Sequence, residues 1–382
     1  DGFTNTVSVA SFGFNPLISR WSPYHGAYYS VMDSVSKIVA AGGDYAEIRL
    51  SFQEYFERLR DEASRWGKPF AALLGSVEAQ RQLEIPAIGG KDSMSGSYQD
   101  IDVPPTLISF AVCPNKTEKI KSATLQRKDS MLSVFIPNPT KDVLLDAENL
   151  KNIFDVIYKN NSKILSAAAV KFGGIAETVS LMAFGNEIGV EVNSVLEMMK
   201  YYPASILVEH IEKLDIPTEV SENYHHIGTT NQSNKLIFNE VEITISAAKV
   251  AWKSTFSKLF PEKTMKSDTP LYALNASQND YKCENIHIKN RAAKPKVFIA
   301  AFPGTNSEYD SAKAFRKEGA ETEILVFKNL SEKDVEESVN AYAKAIDNAH
   351  ILFLPGGFSA ADEPDGSGKF IASVLRNEKI KD

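Results

Sequence analysis

Cysteine is nearly absent from this chain of 382 residues, which contains only Cys113 and Cys283. A small secreted domain held together by disulfides carries more cysteine, so the composition favours a reducing cytosol. No apolar run has the length of a membrane-spanning helix, and the N-terminus lacks the charged and then apolar pattern of a signal peptide. We therefore expect a cytoplasmic protein with no membrane partner.

An excess of basic residues is also missing, since 42 Lys and Arg stand against 49 Asp and Glu and the net charge is −7. A general nucleic-acid binder usually has a basic face, so we expect no nucleic-acid partner. A phosphorylated small molecule is not excluded, because it needs only one local cluster of donors. The length exceeds that of one ordinary core and predicts two or three domains.

The residue pattern divides the chain into four segments. The first, 1–112, contains apolar residues at both helical and strand spacing. It predicts helices at 27–41, 51–66 and 69–84. It also predicts a short buried strand at 85–90 that runs into a glycine turn, and a strand at 106–112. The second, 113–257, alternates strands and helices and predicts helices on one side of a mixed sheet. Residues 258–294 have the composition of a linker.

The last segment, 295–382, begins with a continuous apolar run and continues as strand, helix, strand, helix, strand. This is the pattern of a doubly wound α/β domain, which usually needs about five or six strands. Only three strands precede Asp382, and the chain begins at Asp1 without a methionine. We therefore expect a fragment with an incomplete last domain.

Residues 89–96 (GGKDSMSG) form the first segment suited to chemistry. Glycines such as Gly90 let the backbone approach a ligand closely, and successive N–H groups then hold a phosphate. Lys91 would add positive charge, Ser93 a hydroxyl donor, and Asp92 would hold magnesium or orient Lys91. The competing interpretation is a tight turn with solvated charges, which the pattern alone favours slightly. The spacing is not that of a Walker loop.

Two turns follow strands of the last segment, PGTN at 303–306 and PGGFS at 355–359. Doubly wound sheets bind their ligands at the carboxyl ends of the strands, where both turns lie. Gly356 and Gly357 would direct backbone N–H groups into the cleft, as in the oxyanion hole of an acyl-transfer enzyme. Helix capping explains most of the first turn, and an ordinary loop is the alternative for the second. Their position favours a functional role for the second.

Taken in order, GGKDSMSG, the linker, KPKVFIAAFPGTN and FLPGGFS resemble phosphoribosylformylglycinamidine synthase in its large fused form, over essentially the whole chain. That family converts formylglycinamide ribonucleotide to formylglycinamidine ribonucleotide in de novo purine biosynthesis, using ATP and glutamine. The resemblance implies an α/β and α+β multidomain fold. Its synthetase core is a duplicated aminoimidazole-ribonucleotide-synthetase-like unit, followed by a flavodoxin-like class I glutamine amidotransferase domain. The four segments would be the second N-type subdomain (incomplete at its N-terminus), the second C-type subdomain, the linker and the start of the glutaminase: 1–112, 113–257, 258–294 and 295–382.

The resemblance also implies a mechanism. The substrate amide oxygen attacks the γ-phosphate of ATP, and ammonia, released from glutamine through a cysteine thioester, displaces the phosphate. Gly356, Gly357 and Asn306 would belong to the glutamine and oxyanion loop. The nucleotide phosphates would lie beside four residues of the first glycine motif, namely Gly90, Lys91, Asp92 and Ser93.

No catalytic centre is expected to be complete in this chain, because the nucleophilic cysteine would lie beyond Asp382. The expected partner is the missing N-terminal half of the same enzyme. ATP and magnesium would serve the full-length enzyme, and the fragment alone should be inactive and hold neither tightly. The missing half-barrel should leave an exposed apolar face and cause self-association.

Many members of the family hold an auxiliary nucleotide and magnesium in this half. Their ligands include a Glu and an Asn one helical turn apart, where this chain has Asp33 and Lys37. A second acidic motif, D-R-S-D-G-G, aligns with AVKFGG at 169–174, so that Ala169 replaces one of its acids. Lysine adds positive charge where the ion needs oxygen ligands. We therefore expect a degenerate or empty auxiliary site, in which Lys37 and Lys171 would supply fixed charge instead.

Two other functions stay open. The half of the core present here would be chiefly a scaffold that closes the barrel and docks the glutaminase. Alternatively, the chain would be another ATP-using relative of the same fold, such as a selenophosphate or thiamine-phosphate enzyme. The appended PGTN and PGGFS turns argue against this last alternative.

Overall fold

The computed structural model describes residues 4–261, 293–357 and 367–381. Its contacts divide the chain into two compact units, residues 1–268 and 269–382. The predicted linker at 258–294 falls mostly outside the described residues, as do Cys283 and the last two residues of the PGGFS turn. Among the helices of the described ranges, none is both long enough and apolar enough to cross a membrane.

The first unit begins with a four-stranded sheet and its helices. The elements are β1 (Thr6–Gly13), α1 (Pro16–Trp21), α2 (Pro23–Ala40), β2 (Arg49–Tyr55), α3 (Ala63–Leu83), β3 (Ala87–Lys91), β4 (Ser97–Tyr98), β5 (Ile101–Asp102) and β6 (Thr106–Lys116). The strand order is β1-β6-β2-β3, with β2 and β3 parallel and the other neighbours antiparallel. Strands β4 and β5 pair separately with each other.

Helix α2 is the centre of this part of the unit, and most of its residues are buried. It begins after Ser22, whose hydroxyl accepts the His25 N–H, and Pro23 occupies the first turn, where proline costs no hydrogen bond. Its C-terminus is followed by Gly42 in the left-handed region at φ +92°, as the glycine pair in the sequence indicates. The prediction of a helix at 27–41 is therefore confirmed.

The predicted helix at 51–66 is wrong. Residues 49–55 form strand β2, whose alternate residues Leu50, Phe52 and Glu54 face the helices, and α3 begins only at Ala63. Tertiary packing of this alternating pattern outweighs the helix propensity of its Glu and Arg residues. The predicted buried strand and turn at 85–90 are also corrected, because β3 continues through Lys91 and is mostly exposed at the end of the sheet.

The rest of the first unit is a seven-stranded sheet with three helices. The elements are β7 (Met131–Phe135), α4 (Ala147–Lys159), β8 (Ile164–Ala169), α5 (Gly174–Asn186), β9 (Gly189–Val192), β10 (Ile206–His210), β11 (Tyr224–Asn231), β12 (Lys235–Phe238), β13 (Val241–Thr244) and α6 (Ile245–Ser254). The order is β13-β12-β9-β11-β7-β10-β8, and the β9–β12 pair is parallel.

This sheet is covered on both faces, so the predicted packing of helices on one side is wrong. Helix α4 joins α2 in one hydrophobic cluster with one face of the sheet, and α5 packs in a second cluster on the other face. Every residue of the inner strand β10 is consequently buried. A continuous apolar strand such as SILVEH is typical of burial on two faces.

The second unit has the predicted alternation of strands and helices. The elements are β14 (Lys296–Ala301), α7 (Glu308–Lys317), β15 (Glu321–Val326), α8 (Glu332–Asn348), β16 (Ile351–Phe353), α9 (Ser367–Leu375) and α10 (Glu378–Lys381). The three strands are parallel in the order β15-β14-β16, with α7 and α8 contributing to different clusters on the two faces. The predicted α/β and α+β multidomain fold, with a doubly wound start of the last domain, is confirmed.

Candidate functional site

The strand order of the second unit places its two turns at one crevice. From β14 the chain crosses to β15 on one side and later returns to β16 on the other, so the order reverses between β14 and β16. In open parallel sheets, ligands bind at such a switch point, outside the carboxyl ends of the strands. The PGTN turn follows β14 there, and Pro355, Gly356 and Gly357 follow β16.

The two turns touch each other directly. The Asn306 N–H donates a hydrogen bond to the Gly356 carbonyl oxygen at 2.8 Å. A Cβ atom at Gly357 would lie 2.1 Å from the Gly304 carbonyl oxygen, whereas one at Gly356 would meet nothing within 4 Å. Gly304 itself has φ +89°, which favours glycine. The structure therefore brings together three predicted site residues, Asn306, Gly356 and Gly357.

The two glycines of the second turn, Gly356 and Gly357, are exposed. Within the described ranges, neither of their N–H groups has a hydrogen-bond acceptor. Such N–H groups at the carboxyl edge of a parallel sheet suit an anionic oxygen. Cys113 is buried in the first unit and has none of the surroundings of a nucleophile elbow. Burial raises the pKa of its thiol, which disfavours the reactive thiolate.

The glycine motif of the first unit is extended rather than turned. Gly90 and Lys91 pair with β2, and a Cβ at Gly90 would lie 2.5 Å from the Phe52 carbonyl oxygen. The Ser93 N–H donates to the Glu54 carbonyl oxygen at 3.1 Å, so this amide is already used. Lys91 and Asp92 are exposed. Any phosphate would therefore meet side chains and the outer strand edge, and not a cradle of free amides.

Glu54 lies beside this motif and was not predicted as a site residue. Its side chain is on the helix-facing side of β2, only 6% of the residue is exposed, and its Oε1 has no hydrogen-bond partner among the residues that the structure describes. Burial, together with the nearby Asp92, raises the pKa of its carboxyl to about 7. Glu54 was missed because the sequence pattern predicts a helix at 51–66, whereas the burial of Glu54 follows from the alternation of strand β2.

Asp33 and Lys37 meet in a small cavity of about 160 Å³ between α2 and the start of α5. The Lys37 Nζ lies 2.6 Å from the Asp33 carboxylate and donates a second hydrogen bond to the Phe12 carbonyl oxygen at 2.8 Å. Burial raises the pKa of Asp33, and the Lys37 ammonium opposes this shift. Ala169, at the end of β8, offers no side-chain ligand.

The cavity has further polar residues that the sequence did not single out. Glu177, on α5, accepts the Gly173 N–H at 2.6 Å, and Tyr201 closes the cavity beside Phe172. Within the residues that the structure describes, no group of three or more His, Cys, Asp or Glu is arranged to hold a metal ion. The donor set in this cavity therefore does not fit the magnesium site that the resemblance implies.

Comparison with known proteins separates the two parts of the chain. Residues 294–382 match the model of the CobB/CobQ-like glutamine amidotransferase domain. The PurQ subunit of phosphoribosylformylglycinamidine synthase from Methanococcus maripaludis is 35% identical over 88 residues, which are 23% of this chain and 29% of that protein. The PurL subunit from Picrophilus torridus is 21% identical over 282 residues, covering 66% of this chain and 37% of that protein.

Solved structures of the same name are also similar. Thermotoga maritima PurL complexed with AMPPCP is 12% identical, with a TM-score of 0.49, over 64% of this chain and 45% of that one. The PurLQS structure from the same organism has a TM-score of 0.47 at 13% identity, over 63% of this chain and 44% of that one. The chain spans about a third of the length of the curated relatives it matches, 29% and 37%. Residues 294–382 thus match the CobB/CobQ-like glutamine amidotransferase domain, and different parts of the chain are similar to the PurQ and PurL subunits of phosphoribosylformylglycinamidine synthase.

Proposed function

We propose that this chain is part of the ATP- and glutamine-dependent ligase that converts formylglycinamide ribonucleotide to formylglycinamidine ribonucleotide. The contact between the PGTN and PGG turns carries the proposal, since it forms an exposed donor site at the switch point of a glutamine amidotransferase domain. A relationship to PurL in the same polypeptide supplies the acceptor half of the reaction. Both parts concern one C–N bond, formed with ammonia from glutamine.

In this proposal the second unit holds glutamine during its hydrolysis. The N–H groups of Gly356 and Gly357 stabilise the oxyanion that forms when a thiolate attacks the glutamine amide carbon. Asn306 fixes the loop through its bond to the Gly356 carbonyl. The thiolate itself would come from a cysteine that follows the present chain.

The first unit would hold phosphate at the outer edge of β3. Lys91 supplies a positive charge there, Gly90 allows close approach, and Asp92 and Ser93 supply oxygen atoms. Magnesium commonly binds through one or two carboxylates together with substrate phosphates, so Asp92 fits a role beside a nucleotide-bound ion. ATP would be the phosphate donor that activates the substrate amide.

Substitution of Lys91 tests the site in the complete enzyme. Lys91→Ala should reduce ATP-dependent turnover with ammonia as the nitrogen source by about 100-fold or more, as removal of an electrostatic group commonly does. Glutamine hydrolysis should be affected less, because it belongs to the other unit. Turnover with ammonium chloride and glutaminase activity are measured separately, and circular dichroism checks the fold.

Lys163→Ala is the matched control, since Lys163 makes an ion pair with the exposed Asp215 at 2.7 Å far along the chain from the motif. It should leave both activities unchanged. Equal turnover in Lys91→Ala and Lys163→Ala would contradict the phosphate role of Lys91.

The scaffold function remains the second proposal, and one observation favours it. The Ser93 amide is paired with Glu54, and the motif extends a strand instead of forming a phosphate loop. If the motif is structural, Lys91→Ala should keep full turnover while Gly90→Val, which would press on Phe52, should unfold the unit. The same measurements therefore separate the two functions.

A further inference from the structure

Two charged side chains, Lys37 and Glu177, line the cavity between α2 and α5 where the implied auxiliary site would hold a cation and an anion. We propose that the Lys37 ammonium replaces the cation and the Glu177 carboxylate replaces the anion of the implied auxiliary site. The residues around the cavity then bind no ligand and serve as a structural contact between the two sheets of the first unit. The inference does not depend on the ligase activity of the whole enzyme.

The cation position is filled by Lys37. Its Nζ bonds the Asp33 carboxylate and the Phe12 carbonyl oxygen, and it lies 4.9 Å from the centre of the Phe12 ring. Asp33 also accepts a hydrogen bond from the Phe14 backbone. A divalent ion beside Asp33 would have to displace the ammonium or lie against it, and like charges at this range repel strongly in a partly buried site.

The anion position is closed by the backbone at the start of α5. A helix N-terminus binds phosphate through N–H groups that have no partner within the helix. Here the Gly173 N–H donates to Glu177, the Lys171 N–H to the Thr178 hydroxyl and the Ala176 N–H to the Met198 carbonyl oxygen. A phosphate would therefore find these donors already used.

The size of the cavity agrees with this interpretation. Its volume of about 160 Å³ is below the roughly 300–1,000 Å³ of ordinary small-molecule pockets. Three aromatic residues line the cavity, namely Tyr29, Phe172 and Tyr201. The chain that follows Leu196 packs closely on the start of α5, since a Cβ atom on Gly174 would lie 2.5 Å from the Met198 carbonyl oxygen. A nucleoside does not fit within this cavity.

The first test is thermal unfolding of the 382-residue chain carrying Lys91→Ala, which removes the separate phosphate site proposed at β3. The unfolding midpoint is measured with EDTA, with magnesium chloride, with magnesium and ADP, and with inorganic phosphate, each at millimolar concentration. The expected result is the same midpoint in all four solutions, because a ligand that binds the folded state must raise it. A higher midpoint with magnesium and ADP, or with phosphate, would overturn the proposal.

The second test removes the internal cation. Lys37→Met leaves Asp33 buried without its ammonium, so the midpoint should fall by several degrees at pH about 8 and recover as the pH is lowered and Asp33 takes up a proton. The other charged or titratable groups that face Asp33 are Lys171, Glu177, Tyr29 and Tyr201. Lys249→Met, which breaks an exposed ion pair with Glu187, is the control and should show no such recovery.

The third test removes the internal anion and does not require Lys37→Met to fold. Glu177→Ala frees the Gly173 N–H and leaves the positive charge of Lys171 unbalanced at the cavity, since Asp33 already balances Lys37. In the same Lys91→Ala background, inorganic phosphate should then raise the unfolding midpoint by several degrees, while the midpoint of Lys91→Ala alone stays unchanged. Absence of any phosphate response in Glu177→Ala would show that Glu177 does not stand in for an anion.

Discussion

The buried carboxyl of Glu54 makes the stability of the folded chain depend on pH. Its pKa lies at about 7, above the ordinary 4.5, because burial and Asp92 disfavour the charged form. The folded chain therefore holds this proton more tightly than the unfolded chain does. The free energy of unfolding contributed by Glu54 is highest below about pH 4.5 and is lost as the pH rises through about 7.

Glu54→Gln should remove that loss. We expect the variant to be more stable than the unsubstituted chain at pH about 8, by on the order of 1 kcal/mol, and to have no advantage at pH about 4. Urea unfolding at both pH values measures this. Glu219→Gln, at an exposed position, should show no difference. If Glu54→Gln and Glu219→Gln had the same pH dependence of the free energy of unfolding, the raised pKa of Glu54 would be contradicted.

Residue patterns predicted one kind of site residue and missed another. Gly356, Gly357 and Lys91 could be proposed as site residues from the sequence because a glycine pair with its neighbours is a pattern within a short segment. Glu54 is buried by its place on a central strand, and Glu177 lines the cavity only because α5 packs near α2, and no local pattern reveals either position. Asp33 and Lys37 lie between these cases, since a spacing of four on a helix already predicts their contact at 2.6 Å.

At the scale of elements, the PGTN and PGG turns form one structure with two unequal glycines. A Cβ at Gly357 would overlap the Gly304 carbonyl oxygen, whereas one at Gly356 would enter open space. Gly357→Ala should therefore separate the turns and reduce glutamine-dependent turnover of the complete enzyme by about 100-fold, the cost typical of a displaced oxyanion donor. Turnover with free ammonia should persist.

Gly356→Ala is the matched control for this substitution, because it adds the same methyl group one residue earlier. It should retain most glutamine-dependent turnover. Equal losses in both variants would mean that glutamine-dependent turnover requires the flexibility of the loop, and not the close contact with Gly304.

Most helices and strands were predictable, and the failures have a physical reason. Strong periodic segments such as α2 and β14 are each consistent with their local propensities. The segment at 51–66 failed because its Glu and Arg residues favour a helix, while pairing with β6 and β3 imposes a strand. The exposure of β3 depends on its position at the end of the sheet, which no local pattern specifies.

At the scale of the whole chain, the four-stranded sheet has one face covered by helices and one open face. Phe12 on β1 lies opposite Phe110 on β6, and Val112 on β6 lies opposite Ala10. Phe12, Phe110 and Val112 are 59%, 40% and 45% exposed, respectively. Contiguous exposed apolar side chains on a flat sheet usually mark an interaction surface. By extension of the proposed function, we expect the upstream half of the synthetase core to cover this face in the complete enzyme.

The chain alone should therefore self-associate through this face. Multi-angle light scattering is expected to give a mass that rises above 42.1 kDa with concentration. Phe110→Ser combined with Val112→Thr should shift the chain toward the monomer by about tenfold or more in dissociation constant, because two half-buried apolar contacts of about 1 kcal/mol each are lost. Val241→Thr, the same substitution as at Val112 but at an exposed position on β13, should leave the association unchanged. A monomer at all concentrations, or an equal effect of both changes, would show that the open face is not the contact.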